Sequence, residues 1–309
     1  MNPSASQEPP PLDSTAHLLT RIGAELGAGL GRVAPEGPRP AHRTRPHPVP
    51  SRAPALVAVA HGSRDPRALH TVTRLLDRVR ELRPGLDVRL GHIELNAPLL
   101  SDTLAGLRGG DAVLVPLLLG RGHHVTHDIP RAAEAAPAVR TRRAAPLGPH
   151  PLLVEALHGR LTEAGWRTSD DGNRNSAVVL AAAGSRAPES AADTRRTAHL
   201  LSERLGSVPV VPAYASAAAP TVPAALRALA ARGHRRIAVA SYFTAPGRFA
   251  SAAADAAPWI AAEPLGAHPA MARLLLHRYD RALTEPGPRE AGPGRDHGVP
   301  VPTRFPAPA

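Results

Sequence analysis

"VVLAAAGSRAPES" (residues 178–190) repeats "ALVAVAHGSRDPRA" (residues 55–68): an apolar run enters Gly-Ser-Arg, and a Pro follows one residue later. Where the first copy has His61, the second has Ala183. An offset of 122 residues aligns that pair and also Pro98 with Pro220, and the closing "PLGPHP" (146–151) returns as "PLGAHP" (264–269). Agreement at so many separated positions predicts a duplicated unit.

Outward from this turn, short apolar runs alternate with longer helical ones. "ALVAVA" is a buried strand, and Asp65 followed by Pro66 supplies an N-cap and first turn for the helix "RALHTVTRLLDRVREL". "DVRLGHIEL", "AVLVPLLL" and a weaker run near "VRTRRAAPLG" are further strands; helices are expected at "PLLSDTLAGLR", from about Pro130 and from about Pro151. "SAVVLAAA", "VPVVPAYA", "RIAVASYF" and "WIAAEPLG" repeat the strands, with helices near 189–205, 220–232, 249–257 and 269–283. The alternation predicts an α/β chain of two tandem duplicated domains, each a parallel four-stranded sheet flanked by helices. The expected boundaries are 54–166 and 177–283, joined by the linker "RTSDDGNRNS" (167–176). Residues 1–53 and 284–309 are Pro-rich extensions too poor in apolar residues for a packed core, although "TAHLLTRIGAELGAGLGRV" has the spacing of a short amphipathic helix weakened by four glycines.

Composition narrows the function. With no Cys among 309 residues, neither disulfides nor thiolate metal ligands are available, which fits a reducing cytoplasm, and any metal must use His or carboxylate. No secretory signal and no uninterrupted apolar run of about 18 residues is present, so a soluble, cytoplasmic protein without membrane contact is expected. The net charge of +11 would suggest nucleic acid. However, every one of the 37 basic residues is Arg, they are scattered, and all the aromatics lie at or after Trp166, leaving few stacking platforms. A polyanionic small molecule is the better match. Oligomeric state is not legible.

In an open parallel sheet ligands bind beyond the carboxyl ends of the strands. His61 follows the first strand, Glu94 closes the second, and "GRGHHVTHDIP" (120–130) follows the third with His123, His124 and His127. Spacings of 33 residues from His61 to Glu94 and 30 from Glu94 to His124 are each about one strand-helix unit, so the three fall on one rim. Two imidazoles and a carboxylate accept Fe(II), Co(II), Ni(II) or Zn(II) and leave coordination positions open. In the second copy Glu94 aligns with Ser216, and aligning the third strands, Val113 on Ile237, sets His124 against Arg248. All three candidates are lost together while the turn persists, which predicts one working half and one scaffold half.

"VAVAHGSRDP", "HIELNAP" and "GHHVTHDIP" resemble the strand-end motifs of the sirohydrochlorin chelatases, the class II chelatases of siroheme and cobalamin synthesis. The resemblance covers about residues 55–283, in the order of the two-domain form. It implies metal ligands at His61, Glu94 and His124, with His123 and His127 outside the pattern. It also implies insertion of Fe(II) or Co(II), taken as substrate, into sirohydrochlorin with no organic cofactor and no ATP. His61 or His124 would take pyrrole protons, and Ser63, Arg64 and Arg121 would bind the substrate, a tetrapyrrole with eight carboxylates. Tyr242, Phe243 and Phe249 are candidates for stacking on the ring from the second half, against the alternative of core packing. A non-catalytic carrier of Co(II) or Ni(II) would use the same ligands but need no cavity for a macrocycle.

Overall fold

A computed structural model of the chain describes residues 53–107, 109–167 and 175–285. The N-terminal extension with its candidate helix, most of the linker and the tail beyond Glu285 lie outside the described residues.

The first half runs β1 (Ala55–Ala60), α1 (Pro66–Leu82), β2 (Val88–His92), α2 (Leu100–Ala105), β3 (Gly110–Pro116), a single π-helical turn (His124–Asp128), α3 (Ile129–Glu134), β4 (Val139–Arg143) and α4 (Pro151–Glu163). The second runs β5 (Ser176–Ala182), α5 (Pro188–Arg204), β6 (Val210–Tyr214), α6 (Val222–Ala231), β7 (Arg236–Tyr242), α7 (Arg248–Asp255), β8 (Ile260–Ala261) and α8 (Pro269–Thr284). Each half forms a four-stranded, all-parallel sheet, ordered β2-β1-β3-β4 and β6-β5-β7-β8. The strands first in sequence, β1 and β5, are interior and buried along their whole length, as a sheet covered on both faces requires.

The duplication extends to backbone detail. Gly62 and Gly184 both take positive φ, as do Leu95 and Ala217, Gly85 and Ser207. The peptides before Pro98 and Pro220 are both cis. Glu94 N–H donates to His61 O at 3.0 Å, and Ser216 N–H donates to Ala183 O at 2.9 Å. The two turns thus share one backbone geometry although the residues they carry differ.

The halves are not separable bodies. α4, at the end of the first half, packs on α5 and β7, while α8, at the end of the second, packs on α1 and β3. The apolar stripe of α8, including Leu274, Leu275 and Tyr279, joins the same core as Leu56, Leu75 and Val113 of the first half. Polar bonds fix the exchange: the Tyr279 hydroxyl donates to Pro54 O at 2.6 Å, and Arg142 Nη1 donates to Leu283 O at 2.9 Å. One continuous core therefore locks the two sheets at a fixed separation, which is what a cleft between them requires.

Both exchanged helices begin with a histidine cap. His150 Nδ1 accepts from Leu152 N–H at 3.1 Å and His268 Nδ1 accepts from Ala270 N–H at 3.2 Å, so each cap works only with an unprotonated Nδ1. Burial, helped by Arg278 and His277, pushes His150 down to about 4. Burial first, then Arg160, also lowers His268. The unfolded chain binds protons near the ordinary histidine value of 6.5 and the folded chain does not, so this contribution is complete above that pH. It is lost as pH falls from about 6.5 toward 4. His150→Asn keeps a capping oxygen without titrating, and is expected to flatten this part of the stability–pH curve in urea titrations. An unchanged slope would show that the cap does not titrate.

The helix expected from about Pro130 is found at Ile129–Glu134, preceded by the π-helical turn. Two expectations need correction. β2 stops at His92, where the chain turns away: His92 N–H donates to Pro98 O and Asn96 N–H donates to Glu94 O. The last strand is only Ile260–Ala261, since Pro264 and the turn into α8 end it at once. Among the described residues no helix is long and apolar enough to cross a membrane.

Candidate functional site

The carboxyl ends of β1, β2 and β3 deliver the sequence-predicted ligands to one place. His61 leaves β1 into a turn whose Gly62 has φ 105°, a conformation that brings its Cα against the Glu94 carbonyl. The Ser63 N–H donates to Asn96 Oδ1 at 2.7 Å, which ties the two loops together. As a result His61 Nε2 lies 3.3 Å from Glu94 Oε1. The His124 ring meets the His61 ring edge-on, with centroids 4.5 Å apart.

His124 is held by its own turn. Ile129 N–H donates to His124 O, five residues back, and this wider-than-α spacing sets the start of α3. One turn on, Asp128 Oδ2 accepts from His124 Nδ1 at 2.6 Å, which orients the ring and turns Nε2 away from the carboxylate. No three His, Asp or Glu among the described residues already surround a common point as a metal site. Glu94 rests on His61 rather than beside it, so joint ligation needs that contact to open. The two side chains are 40% and 53% exposed, so both reach solvent.

His61 and His124 line a cavity of about 1030 Å³ between the halves, together with Leu95 and Asn96 but not Glu94 of the neighbouring loop, at the upper end of the ~300–1,000 Å³ usual for small-molecule sites. Arg64 lines it from the first half and Arg248 from the second. The Arg248 guanidinium stacks 4.8 Å from the Phe249 ring, which is also a wall. Phe243 and Phe249 are half-buried, whereas Tyr242 is buried and spends its hydroxyl on Leu119 O at 3.0 Å. The aromatic surface absent from the first half is therefore supplied across the cleft.

Two expected substrate contacts are placed differently. Arg121 does not line the cavity, because its guanidinium is paired with Asp193 of α5, Nη2 to Oδ1 at 2.7 Å and Nε to Oδ2 at 3.0 Å. Ser63 does line it, but its hydroxyl accepts from Asp65 N–H at 3.1 Å, as Ser185 accepts from Ala187 N–H in the second copy. That shared geometry makes the serine part of the turn in both copies. His123 and His127 stack on one another 4.4 Å apart, and His123 also reaches the cavity wall. One residue was missed: His92, 2% exposed, whose Nδ1 lies 3.2 Å from Pro98 O and which burial holds neutral below the usual histidine range. Only its position at the end of β2, between Gly91 and Ile93, signalled it.

Residues 55–164 and 177–282 each match the family model described as CbiX. The chain belongs to the CbiX family. Its curated relatives include the sirohydrochlorin ferrochelatase of Priestia megaterium, 26% identical over 251 residues, which span 75% of this chain and 92% of that one. They also include the sirohydrochlorin cobaltochelatase of Methanosarcina barkeri, 28% identical over 123 residues, 35% of this chain and 95% of the relative. Among solved structures, SirB from Bacillus subtilis with Fe3+ superposes with a TM-score of 0.59 at 23% identity, covering 74% of this chain and 95% of that one. A structure of CbiX, described as the terminal enzyme for siroheme biosynthesis in denitrifying bacteria, gives 0.59 at 21% identity, covering 74% and 100%. The two-sheet fold of this CbiX member is thus the fold of those proteins.

Proposed function

We propose that this CbiX family member is a sirohydrochlorin chelatase, an ATP-independent lyase that inserts Fe(II) or Co(II) into the macrocycle in siroheme or cobalamin biosynthesis. The observation that supports the reading is that His61 touches both Glu94 and His124 at the strand ends, beside a cavity of about 1030 Å³ that His61 and His124 line. The names and activities of the curated relatives support it.

The divalent ion is a substrate, and the donor set accepts iron or cobalt. Insertion replaces two pyrrole protons by the ion, so two N–H bonds break and two protons leave. His124 Nε2, on the side of the ring away from the Asp128 contact, serves as ligand or proton acceptor. Glu94 offsets the charge of the cation. Arg64 and Arg248, on opposite walls, pair with peripheral carboxylates and hold the ring over the ion. Phe243 and Phe249 offer it apolar surface.

Mixing the protein with sirohydrochlorin and Fe(II) or Co(II), and following the ring's absorption, tests the reading. Insertion faster than the protein-free rate is expected; no acceleration would favour a metal carrier, which has no use for the cavity. Arg248→Ala is expected to retain substantial insertion, with its loss confined to the KM for the macrocycle. A fall in kcat as large as that of a His61 variant would contradict the division into one working half and one scaffold.

A further inference from the structure

The second half lacks every counterpart of the proposed ligands, yet it grips the loop that presents His124 at two points. Asp193 of α5 is 4% exposed. Besides the two guanidinium bonds, its Oδ2 accepts from the Arg121 backbone N–H at 3.0 Å. Two residues earlier in the loop, the carbonyl of Leu119 accepts from Tyr242 of β7. Thr197 joins the two grips: its Oγ1 donates to Asp193 O at 3.0 Å and lies 3.2 Å from the Tyr242 hydroxyl. Gly120, between the gripped residues, sits beside α5, where an added Cβ would meet Ser190 and Asp193 at ordinary contact distance, 3.5–3.6 Å.

A buried carboxylate stabilises a fold poorly compared with an apolar residue of similar size, and its attested use is to select one arrangement. Here all three donors it meets belong to Arg121, three residues before His124. We propose that Asp193 and Tyr242 are positioning residues for His124: the half without ligands fixes the backbone of the working loop, so that the imidazole faces His61 and Glu94. The inference rests on the reading of His124 as a ligand. It also gives the exchange of α4 and α8 a consequence, since a clamp works only if its jaws cannot drift apart.

The test is a Co(II) titration of the full chain, followed by the ligand-field absorption of the ion, in the wild type, Asp193→Asn, Tyr242→Phe and His124→Ala, and in each clamp variant combined with His124→Ala. Asp193→Asn is expected to weaken Co(II) binding about tenfold or more, the size of losing a group that orients a ligand. Tyr242→Phe should act in the same direction. Neither should weaken binding further once His124 is gone. The proposal is overturned if both clamp variants bind Co(II) like the wild type while His124→Ala does not, or if they weaken binding equally with and without His124, which would mark a general structural role. If His124→Ala itself binds like the wild type, the ligand reading falls and takes this one with it. Should Asp193→Asn fail to fold, Tyr242→Phe, which keeps the buried ring, decides between these outcomes.

Discussion

Replacing His61 or His124 by Ala is expected to abolish metal insertion while leaving the fold intact. The side chains are 40% and 35% exposed, so truncation opens no buried cavity and strands no buried charge. What it removes is local and chemical. Without His124, the Asp128 carboxylate has nothing to orient and the cleft loses an imidazole held in place by a carboxylate. Without His61, Glu94 and His124 lose the ring that stands between them. Each loss should cost roughly 10²–10⁴-fold in insertion rate, the range for a positioned proton acceptor. The check is the rate of change in the macrocycle's absorption, alongside circular dichroism and a thermal melt. A folded variant inserting metal at close to the wild-type rate would rule its histidine out.

The fold was legible where local pattern and duplication spoke together. The buried run before Gly62 reads as a strand in either copy, and Asp65-Pro66 places the start of α1 to the residue. The exchange of α4 and α8 was not legible. Their apolar stripes say only that each helix is buried on one side, and either sheet could receive it. Choosing between them takes contacts such as Tyr279 with Pro54, more than two hundred residues apart in the chain.

For the site, spacing placed His61, Glu94 and His124 on one rim because each follows a strand of the same parallel sheet. It could not reveal the Asp128 bond, which depends on helical geometry beginning at His124, ahead of the Ile129-Pro130 that reads as a helix start. It misplaced Arg121 for a related reason. A loop arginine beside candidate ligands looks like a carboxylate receptor until a buried acid is found opposite it, and Asp193 lies in a different half of the chain. Arg248 shows the reverse: aligned with His124 by the repeat, it also lines the cleft, as a cation.

The duplicated turn allows the same backbone injury to be made with and without the chemistry. In Gly62→Ala the new Cβ would sit 1.9 Å from the Glu94 carbonyl, at φ 105°; in Gly184→Ala it would sit 1.8 Å from the Ser216 carbonyl, at φ 92°. A positive φ alone costs an L-residue roughly 1–2 kcal/mol, and a carbonyl at that range must move as well. Both variants should therefore melt lower by several degrees, at about 2–4 °C per kcal/mol for a unit of this size. Their activities should part. Relief of the clash at Gly62 pushes the second loop away and carries Glu94 with it, so the surviving folded molecules should insert metal far more slowly. Relief at Gly184 moves only Ser216, which holds no ion, and activity per folded molecule should stay near the wild-type level. Equal loss of activity in the two variants, at matched fractions folded, would mean that the second turn takes part in the reaction, and the division of labour between the halves would have to be abandoned.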